Sequence, residues 1–146
     1  MRIPLGRPAA AARLSGEGKI RGIAAFYPQP EGILVCAEIA GLPENESGFY
    51  AFHIHEGFYC TGKNYADTGS HYNPRLSEHP RHAGDLPPLL GCRGSAFLAV
   101  LTDRFTLPEV LGRTVVIHSD ADDFHTQPAG NAGEKIACGV IRAIRY

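Results

Sequence analysis

Turn-forming residues recur so often along this chain that they leave room only for short regular segments. The sequence has 17 Gly and 11 Pro in 146 residues. Clusters of turn-forming residues interrupt it at 16–18, 28–32, 42–45, 91–94 and 128–133. Stretches rich in β-branched, aromatic and other apolar residues lie between these clusters. This spacing is typical of many-stranded β-proteins rather than of helical bundles.

About eight short strands are predicted between the turns, at 8–14, 20–27, 32–39, 49–55, 82–86, 95–102, 114–118 and 136–144. Eight strands are typical of a sandwich or a Greek-key barrel. Hydrophobic residues make up 44% of the chain, which suffices for a core, and the length predicts a single domain over residues 1–146. Two stretches without a strand pattern, 56–81 and 119–135, are predicted to be functional loops.

The charge balance and the hydropathy pattern exclude two classes of partner. The 14 basic and 15 acidic residues leave a net charge of -1, which excludes the general basic surface of a nucleic-acid-binding protein. No apolar run approaches the length of a membrane span, so no membrane contact is expected. Near the N-terminus, Pro4, Gly6 and Pro8 follow Arg2 and interrupt any apolar signal segment. We therefore expect a cytoplasmic protein, or one whose signal is absent from this sequence.

The four cysteines are Cys36, Cys60, Cys92 and Cys138. None of them forms a C-x-x-C pair, which excludes a zinc ribbon and a thioredoxin motif. Four cysteines allow three complete pairings, and the residues alone do not choose among these. In a chain without a secretory signal, unpaired thiols are the expectation.

Histidines concentrate in a few segments of the chain. Six of the seven lie between positions 53 and 118. His53 and His55 flank Ile54 in a predicted strand, and side chains two apart in a strand project from the same face. Two such imidazoles can chelate one metal ion. Alternatively they are two unrelated surface residues, which is the commoner origin of an isolated His-x-His pair.

A second group of potential ligands follows in a segment with few helix formers. It consists of His71, His79, His82 and Asp85. Three imidazoles and one carboxylate match the tetrahedral nitrogen and oxygen set that zinc accepts. The alternative is a mobile polar loop with incidental histidines. The metal interpretation is favoured because little else would order this segment.

The last candidate residue, His118, ends an apolar strand and precedes an acidic turn. Alone it is more simply a histidine at the end of a strand. Asp122 or Asp123 could accept a hydrogen bond from a ligand imidazole, because ligating histidines usually donate their second N–H to a carboxylate or carbonyl. The sequence contains no His-Glu-x-x-His, Gly-x-Ser-x-Gly or P-loop motif that would indicate a hydrolase.

These segments, taken in order, resemble the copper–zinc superoxide dismutase family, in a bacterial type with shortened metal loops. The similarity covers about residues 10–144. The motifs that carry it are Phe52-His53-Ile54-His55-Glu56, Gly69-Ser70-His71-Tyr72-Asn73-Pro74, His82-Ala83-Gly84-Asp85-Leu86, Gly112-Arg113-Thr114-Val115-Val116-Ile117-His118, Ala121-Asp122-Asp123, Gly130-Asn131-Ala132-Gly133 and Ala137-Cys138-Gly139-Val140.

The resemblance implies a flattened eight-stranded Greek-key β-barrel that disproportionates superoxide, with copper and zinc as cofactors. The implied copper ligands are His53, His55, His71 and His118, and the implied zinc ligands are His71, His79, His82 and Asp85. His71 would bridge the two ions as an imidazolate and act in catalysis. Asp122 would link a copper-ligand histidine to a zinc-ligand histidine. The implied disulfide joins Cys60 and Cys138. We expect Cys36 and Cys92 to be unpaired thiols, with a second disulfide between them as the alternative.

Three departures from the family pattern carry expectations. Lys135 aligns with the usual active-site arginine, and a lysine attracts an anion but orients it less well, so we expect reduced but not absent catalysis. Only two residues separate His79 and His82, a short gap that predicts altered zinc geometry or affinity. The loop 123–133 carries no Lys or Glu, which leaves Lys135 and Lys63 as the nearby positive charges.

Three functions are compatible with these residues. The first is the enzyme, with superoxide as a small anionic substrate and either a monomer or a homodimer as the assembly. The second is a copper- or zinc-binding module for storage or delivery with little turnover. The third is a β-scaffold for protein contacts, which would leave the patterned histidines and Asp85 unexplained. The complete ligand set and the cation at position 135 favour the enzyme.

Overall fold

Strands form most of the regular structure in the computed structural model of this chain, which describes residues 6–146. Arg2 and Pro4, on which the expectation about a signal segment partly rests, lie outside the described residues. The strands are β1 (Ala10–Gly16), β2 (Arg21–Gln29), β3 (Gly32–Ala40), β4 (Phe49–Tyr50), β5 (Phe52–His55), β6 (Leu89–Leu90), β7 (Ala96–Thr102), β8 (Thr114–His118) and β9 (Lys135–Ala143). The helical segments are a 3₁₀ segment (Lys63–Thr68) and the four-residue helix α1 (Leu107–Val110).

The strands form a curled antiparallel sheet in the order β5-β8-β9-β1-β2-β3-β7, and β4 pairs with β6. Pairing of β3 with β7 and of β5 with β8 requires two long connections that cross over intervening strands. This arrangement confirms the predicted all-β Greek-key barrel.

Alternation along the strands builds the core. In β3 the buried residues are Ile33, Val35, Ala37 and Ile39, while Glu38 is exposed. β-branched side chains suit this half-buried, pleated position. Across the neighbouring pair, Phe52 of β5 lies opposite Ile117 of β8, and both are fully buried in the core.

One predicted strand is wrong. Residues 82–85 form a turn, because Asp85 N–H donates to the His82 carbonyl and the His82 N–H donates to the Asp85 carboxylate. Such local side-chain hydrogen bonds favour turns over strands. The short strand of this region is β6 instead. The predicted strand 49–55 is divided at Ala51 into β4 and β5.

The two long loops lie where they were expected. One connects β5 to β6 and contains the 3₁₀ segment, and the other connects β8 to β9. Within residues 6–146, no helix has both the length and the apolar character needed to span a bilayer.

Candidate metal centre

Three buried histidines project from the outer face of the barrel. His53 and His55 alternate with the core residues Phe52 and Ile54 along β5, as the strand period requires. His118 ends the neighbouring strand β8. These three imidazoles are at most 3% exposed even though they point away from the core. The long loops therefore cover this part of the outer face.

Hydrogen bonds fix which nitrogen carries the proton in two of the three strand-borne histidines. His53 Nε2 donates to the Asp122 carboxylate at 2.8 Å, and His55 Nδ1 donates to the Gly69 carbonyl at 2.9 Å. In the neutral rings, His53 Nδ1 and His55 Nε2 are therefore left with lone pairs. These atoms lie 3.1 and 3.2 Å from His118 Nε2. One shared proton cannot satisfy all three nitrogens, whereas a single cation can.

The histidines are held in the neutral form that metal binding needs. Burial lowers the pKa of His53 to about 4 and lowers the pKa values of His55 and His118 well below the ordinary value. Desolvation is the largest cause in each case, because it disfavours the charged imidazolium. At neutral pH these rings therefore present lone pairs rather than positive charge.

His71 lies between the strand-borne histidines and a second group of ligands. Its backbone region runs along the edge of β5, where Tyr72 N–H donates to the Ile54 carbonyl at 2.8 Å. His71 Nδ1 lies 2.8 Å from Asp85 Oδ1 and 3.2 Å from His82 Nδ1. Its other nitrogen, Nε2, is buried without a hydrogen-bond partner among the described residues. Each of the two ring nitrogens is thus available to a different ion.

The loop-borne donors converge on Asp85. His79 Nδ1 lies 3.1 Å from Asp85 Oδ2, and His82 Nδ1 lies 3.3 Å from the same oxygen. His79 Nδ1 is buried and makes no hydrogen bond in the described part of the chain, despite this short distance. Zinc–nitrogen bonds of 2.0–2.1 Å place tetrahedral ligands roughly 3.3 Å apart, so these spacings fit a shared zinc ion. The short sequence gap between His79 and His82 does not keep their nitrogens from Asp85.

The described residues contain two groups of four potential ligands. Within each group, the ligand atoms lie within 4.8 Å of one another. One is His53, His55, His71 and His118, and the other is His53, His71, His79 and Asp85. The second contains His53 where the sequence predicts His82. We favour His82, because the remaining nitrogen of His53 already donates to Asp122 and the ring of His82 directs Nδ1 toward both His71 and Asp85.

Asp122 joins the two groups. One carboxylate oxygen accepts from His53 and the other accepts from His79 Nε2 at 2.7 Å. Burial alone would raise the pKa of Asp122, but these hydrogen bonds lower it to about 2. Asp85 behaves alike: burial opposes ionisation, but the hydrogen bond with His71 and the adjacent imidazoles lower its pKa. Both carboxylates are therefore ionised and able to accept N–H groups or to bind a cation.

Two residues that shape the surroundings of Asp122 and His79 were not recognised as functional from the sequence. Gly130 has φ +71, and a Cβ there would lie 2.1 Å from the Asp122 carboxylate and 2.6 Å from His79 Nε2. Gln127 accepts from His79 N–H at 2.9 Å and donates to the His79 carbonyl at 2.8 Å. Gly130 lies in the Gly130–Gly133 motif, and that motif was the sequence signal that could have identified it. Gln127 acts across 48 residues, and no local pattern indicates that contact.

Lys135 lies beside the strand-borne histidines. A register shift between Ile117 and His118 places Lys135 opposite His118 in the β8–β9 pair. Such a bulge re-aims a side chain. Lys135 Nζ donates to Thr68 Oγ1 at 2.7 Å and to the Gly69 carbonyl at 2.9 Å. The same carbonyl accepts from His55, so the ammonium charge is tethered next to the imidazoles. Burial lowers the pKa of Lys135.

The disulfide and one arginine attach the first long loop to the barrel. Cys60 is bonded to Cys138 of β9, while Cys36 and Cys92 are unpaired, in agreement with the sequence prediction. Arg113, which lies in the Gly112–His118 motif and was not predicted to have a role of its own, donates to the Glu56 carbonyl at 2.7 Å. Its guanidinium also lies 4.4 Å from the centre of the Tyr72 ring. Arg113 thus contacts the residues that directly follow His55 and His71 in the sequence.

Comparisons with known proteins agree with this geometry. The family model described as copper/zinc superoxide dismutase matches residues 20–141. A protein of Deinococcus radiodurans named superoxide dismutase [Cu-Zn] is 38% identical and is aligned over 96% of this chain and 87% of its own length. Superoxide dismutase [Cu-Zn] 3 of Arabidopsis thaliana is 35% identical, with 97% of this chain and 94% of its own length covered.

A solved structure supports the same relationship. The crystal structure of the clock protein EA4 superimposes with a TM-score of 0.82 at 33% sequence identity, and it covers 99% of this chain and 100% of its own chain. Together with the family match over most of the sequence, these similarities establish that the chain belongs to the copper/zinc superoxide dismutase family.

Proposed function

We propose that this chain disproportionates superoxide to dioxygen and hydrogen peroxide, with copper held by His53, His55, His71 and His118. The observation that carries the proposal is the convergence of His53 Nδ1 and His55 Nε2 on His118 Nε2, with 3.1 and 3.2 Å between the atoms. Imidazole nitrogens suit copper, which has the highest affinity among the first-row divalent ions.

Zinc is assigned to His71, His79, His82 and Asp85. Two observations support that assignment. His79 Nδ1 has no hydrogen-bond partner within residues 6–146, and 2.8 to 3.3 Å separate the donors. His71 is shared between the two sites, with Nδ1 on the zinc side and Nε2 toward the strand-borne histidines. Since Asp122 contacts one histidine of each site, it fixes the two sites relative to each other.

Copper, when bound, supplies the one-electron redox couple that converts one superoxide to dioxygen and reduces a second. The protein provides orientation, exclusion of water and a proton. His71 Nε2 is buried and has no hydrogen-bond partner in residues 6–146, so it is the atom at which a proton can be held and delivered toward peroxide. The remaining proton of each product molecule comes from solvent.

Lys135 supplies positive charge at the entrance used by the anionic substrate. Its tether to Thr68 and Gly69 keeps the ammonium group near His55 and His118. A fixed charge of this sign raises the local concentration of a small anion, an effect that added salt weakens. The hydrogen bonds also restrict the orientations in which the ammonium group can meet that anion.

The test is to load the protein with copper and zinc and to measure superoxide loss together with bound metal. His118→Asn should abolish turnover and reduce bound copper, because it removes the nitrogen on which the other two converge. His125→Asn is the matched control, since the His125 side chain is 78% exposed and, among the described residues, contacts only its own turn. Wild-type protein that retains both metals without turnover would contradict the enzyme and favour the storage or delivery module. Failure to bind either metal would contradict both.

A further inference from the structure

A cavity at one side of the barrel reaches the carboxylates of the candidate metal centre. It has a volume of about 410 Å³, which is room for several water molecules. It lies where the end of β7 meets the two long loops, and its walls include Val100 of β7 and Phe124 of the second loop. Asp85 and Asp122 form part of the same lining. The proposed reaction gives this cavity no role, since superoxide reacts at copper.

The cavity is open to solvent at its outer end and closed toward the metal centre. Leu101 and Phe124, which line it, are each 49% exposed, and Arg104 is also exposed. At the other end, the side chains of Asp85 and Asp122 are only 3% and 1% exposed. An ion that passes from the cavity to these carboxylates therefore needs part of the wall to move.

The two approaches to the centre differ in the sign of their charge. Lys135 places an ammonium group beside the strand-borne histidines. The charged residues that line the cavity are instead Asp85, Asp122 and Arg104, two negative against one positive. Since a cleft lined by one sign of charge concentrates ions of the other sign, the first approach favours a small anion and the cavity favours a cation.

The copper half offers zinc a more obstructed path. An ion that entered there would first meet the ammonium group of Lys135 and then the converging nitrogens of the strand-borne histidines. Copper held by those nitrogens would block its passage. We propose that zinc enters and leaves its site through the cavity instead. This inference rests on the proposed function, because it takes over the zinc ligands assigned there.

The part of the wall that moves is the turn from Pro80 to His82, which we call the gate. Pro80 lines the cavity and His82 is a zinc ligand, so the gate separates the two spaces. Arg104 Nη1 donates to the Pro80 carbonyl at 2.7 Å and to the His82 carbonyl at 3.4 Å. The next residue, Phe105, is buried and packs edge-on against Phe26 of the core. Arg104 therefore holds the gate closed from a fixed support, and it acts on zinc only through this turn.

Zinc uptake by protein that already holds copper tests the path directly. Zinc ions are mixed with copper-loaded, zinc-free protein and with metal-free protein, and uptake is followed by competition with a chromophoric chelator. If zinc passes through the cavity, copper does not lie on its path. The two uptake rates should then agree within about threefold, because copper affects only the surroundings of the site that zinc reaches.

Changes in the width of the cavity should alter rates without altering affinity. The cavity is part of the path but not of the bound state, so it changes the barriers to entry and exit alike. Phe124→Ala should speed zinc uptake and release about fivefold, and Val100→Phe should slow both about fivefold, with the dissociation constant within about twofold of the wild type. Phe97→Ala is the matched control, because Phe97 is 63% exposed on β7 and does not line the cavity.

Arg104→Met tests the gate. It removes two hydrogen bonds from the turn, so zinc release should become about tenfold faster. Release should rise more than uptake, because the freed turn carries His82. Arg104→Lys keeps one donor for the Pro80 carbonyl and should restore most of the wild-type rate. Arg21→Met, which replaces an exposed arginine of β2, is the control. Copper affinity and circular dichroism should match the wild type in all of these variants.

Three results would overturn this path for zinc. The first is zinc uptake that stops when copper is bound, and the second is a set of rates that neither Phe124→Ala nor Val100→Phe changes. The third is a change in zinc affinity that accounts for the altered rates. Since Phe124 is exposed, its variant remains a test even if Val100→Phe does not fold. Protein that fails these tests but binds zinc and removes superoxide would retain the proposed function, whereas protein that binds no zinc would contradict both.

Discussion

The two halves of the proposed metal centre are held by different kinds of structure. His53, His55 and His118 lie on adjacent paired strands, and their backbone positions are set by the sheet. His79, His82 and Asp85 lie in a long loop, where position depends on turns and on side-chain contacts with the other loop. We therefore expect the strand-borne half to be preorganised and the loop-borne half to depend on the metal ion and on Asp122 for its geometry.

Metal removal should produce the largest difference between the two halves of the centre. Ions at 1,000 times their dissociation constant stabilise a site by about 4 kcal/mol, and that stabilisation is lost on chelation. We expect trypsin to cut the chelated protein at least tenfold faster at Arg75 and Arg81, the exposed arginines of the first loop. Arg13 and Arg142, which lie in strands, are the internal controls. Equal acceleration at the strand sites would contradict the difference between the halves.

Asp122→Asn should weaken metal binding in both halves at once. Asparagine lacks the negative charge, so its one carbonyl oxygen accepts more weakly from one imidazole, and its amide N–H opposes the N–H of the other. Both His53 and His79 therefore lose stabilisation. Changes to groups that orient metal ligands typically cost about 10- to 100-fold in affinity. Competition with chelators of known affinity would measure the affinities for both ions.

Asp123→Asn provides the matched control for that experiment. Asp123 accepts from His125 N–H at 3.0 Å and Thr126 N–H at 2.8 Å and contacts neither group of ligands. Its replacement should leave both affinities within about twofold, because it affects a surface turn. If Asp122→Asn lowered the affinity for only one of the two ions, the carboxylate would not couple the two halves.

Gln127→Ala should affect the loop-borne half alone. It removes two hydrogen bonds to the backbone of His79, each with a net contribution of about 0.5–1.5 kcal/mol, and the exposure of Gln127 favours the lower value. We expect zinc affinity to fall about fivefold with copper affinity unchanged. Gln29→Ala, at the end of β2, is the control. An equal loss of both metals would show that the strands also depend on this contact.

The same contrast explains what the sequence could predict. Strand alternation was enough to place His53 and His55 on one face, because a period of two leaves no other arrangement for a paired strand. The incorrectly predicted strand at 82–86 shows that strand patterns do not predict the loop. There, a turn at His82–Asp85 forms instead of strand pairing. Gln127 escapes such patterns, since its contact with His79 depends on the approach of two loops that only the folded chain brings together. Gly130 lies in a recognisable motif, but its closeness to Asp122 and His79 is visible only in the folded chain.

Lys135 belongs to the strand-borne half but contacts the first loop, so its replacement tests whether charge or tether matters. Lys135→Met removes both, and we expect the rate to fall about tenfold at low salt, with less dependence on ionic strength. Lys135→Arg keeps the charge and adds donors for Thr68 and Gly69 as well as for an anion, and it should raise the rate about two- to threefold.

Lys63→Met is the control for the two Lys135 variants. Lys63 is exposed at the start of the 3₁₀ segment, and no side-chain hydrogen bond ties it to the centre in the described residues. A mobile surface charge attracts a small anion less effectively than one fixed beside the imidazoles, because solvent screens it within about 10 Å at 0.1 M salt. Stopped-flow measurement of superoxide decay across ionic strengths should therefore separate the two lysines. Equal losses would assign the attraction to net charge and leave Lys135 with only its tether to the Gly69 carbonyl.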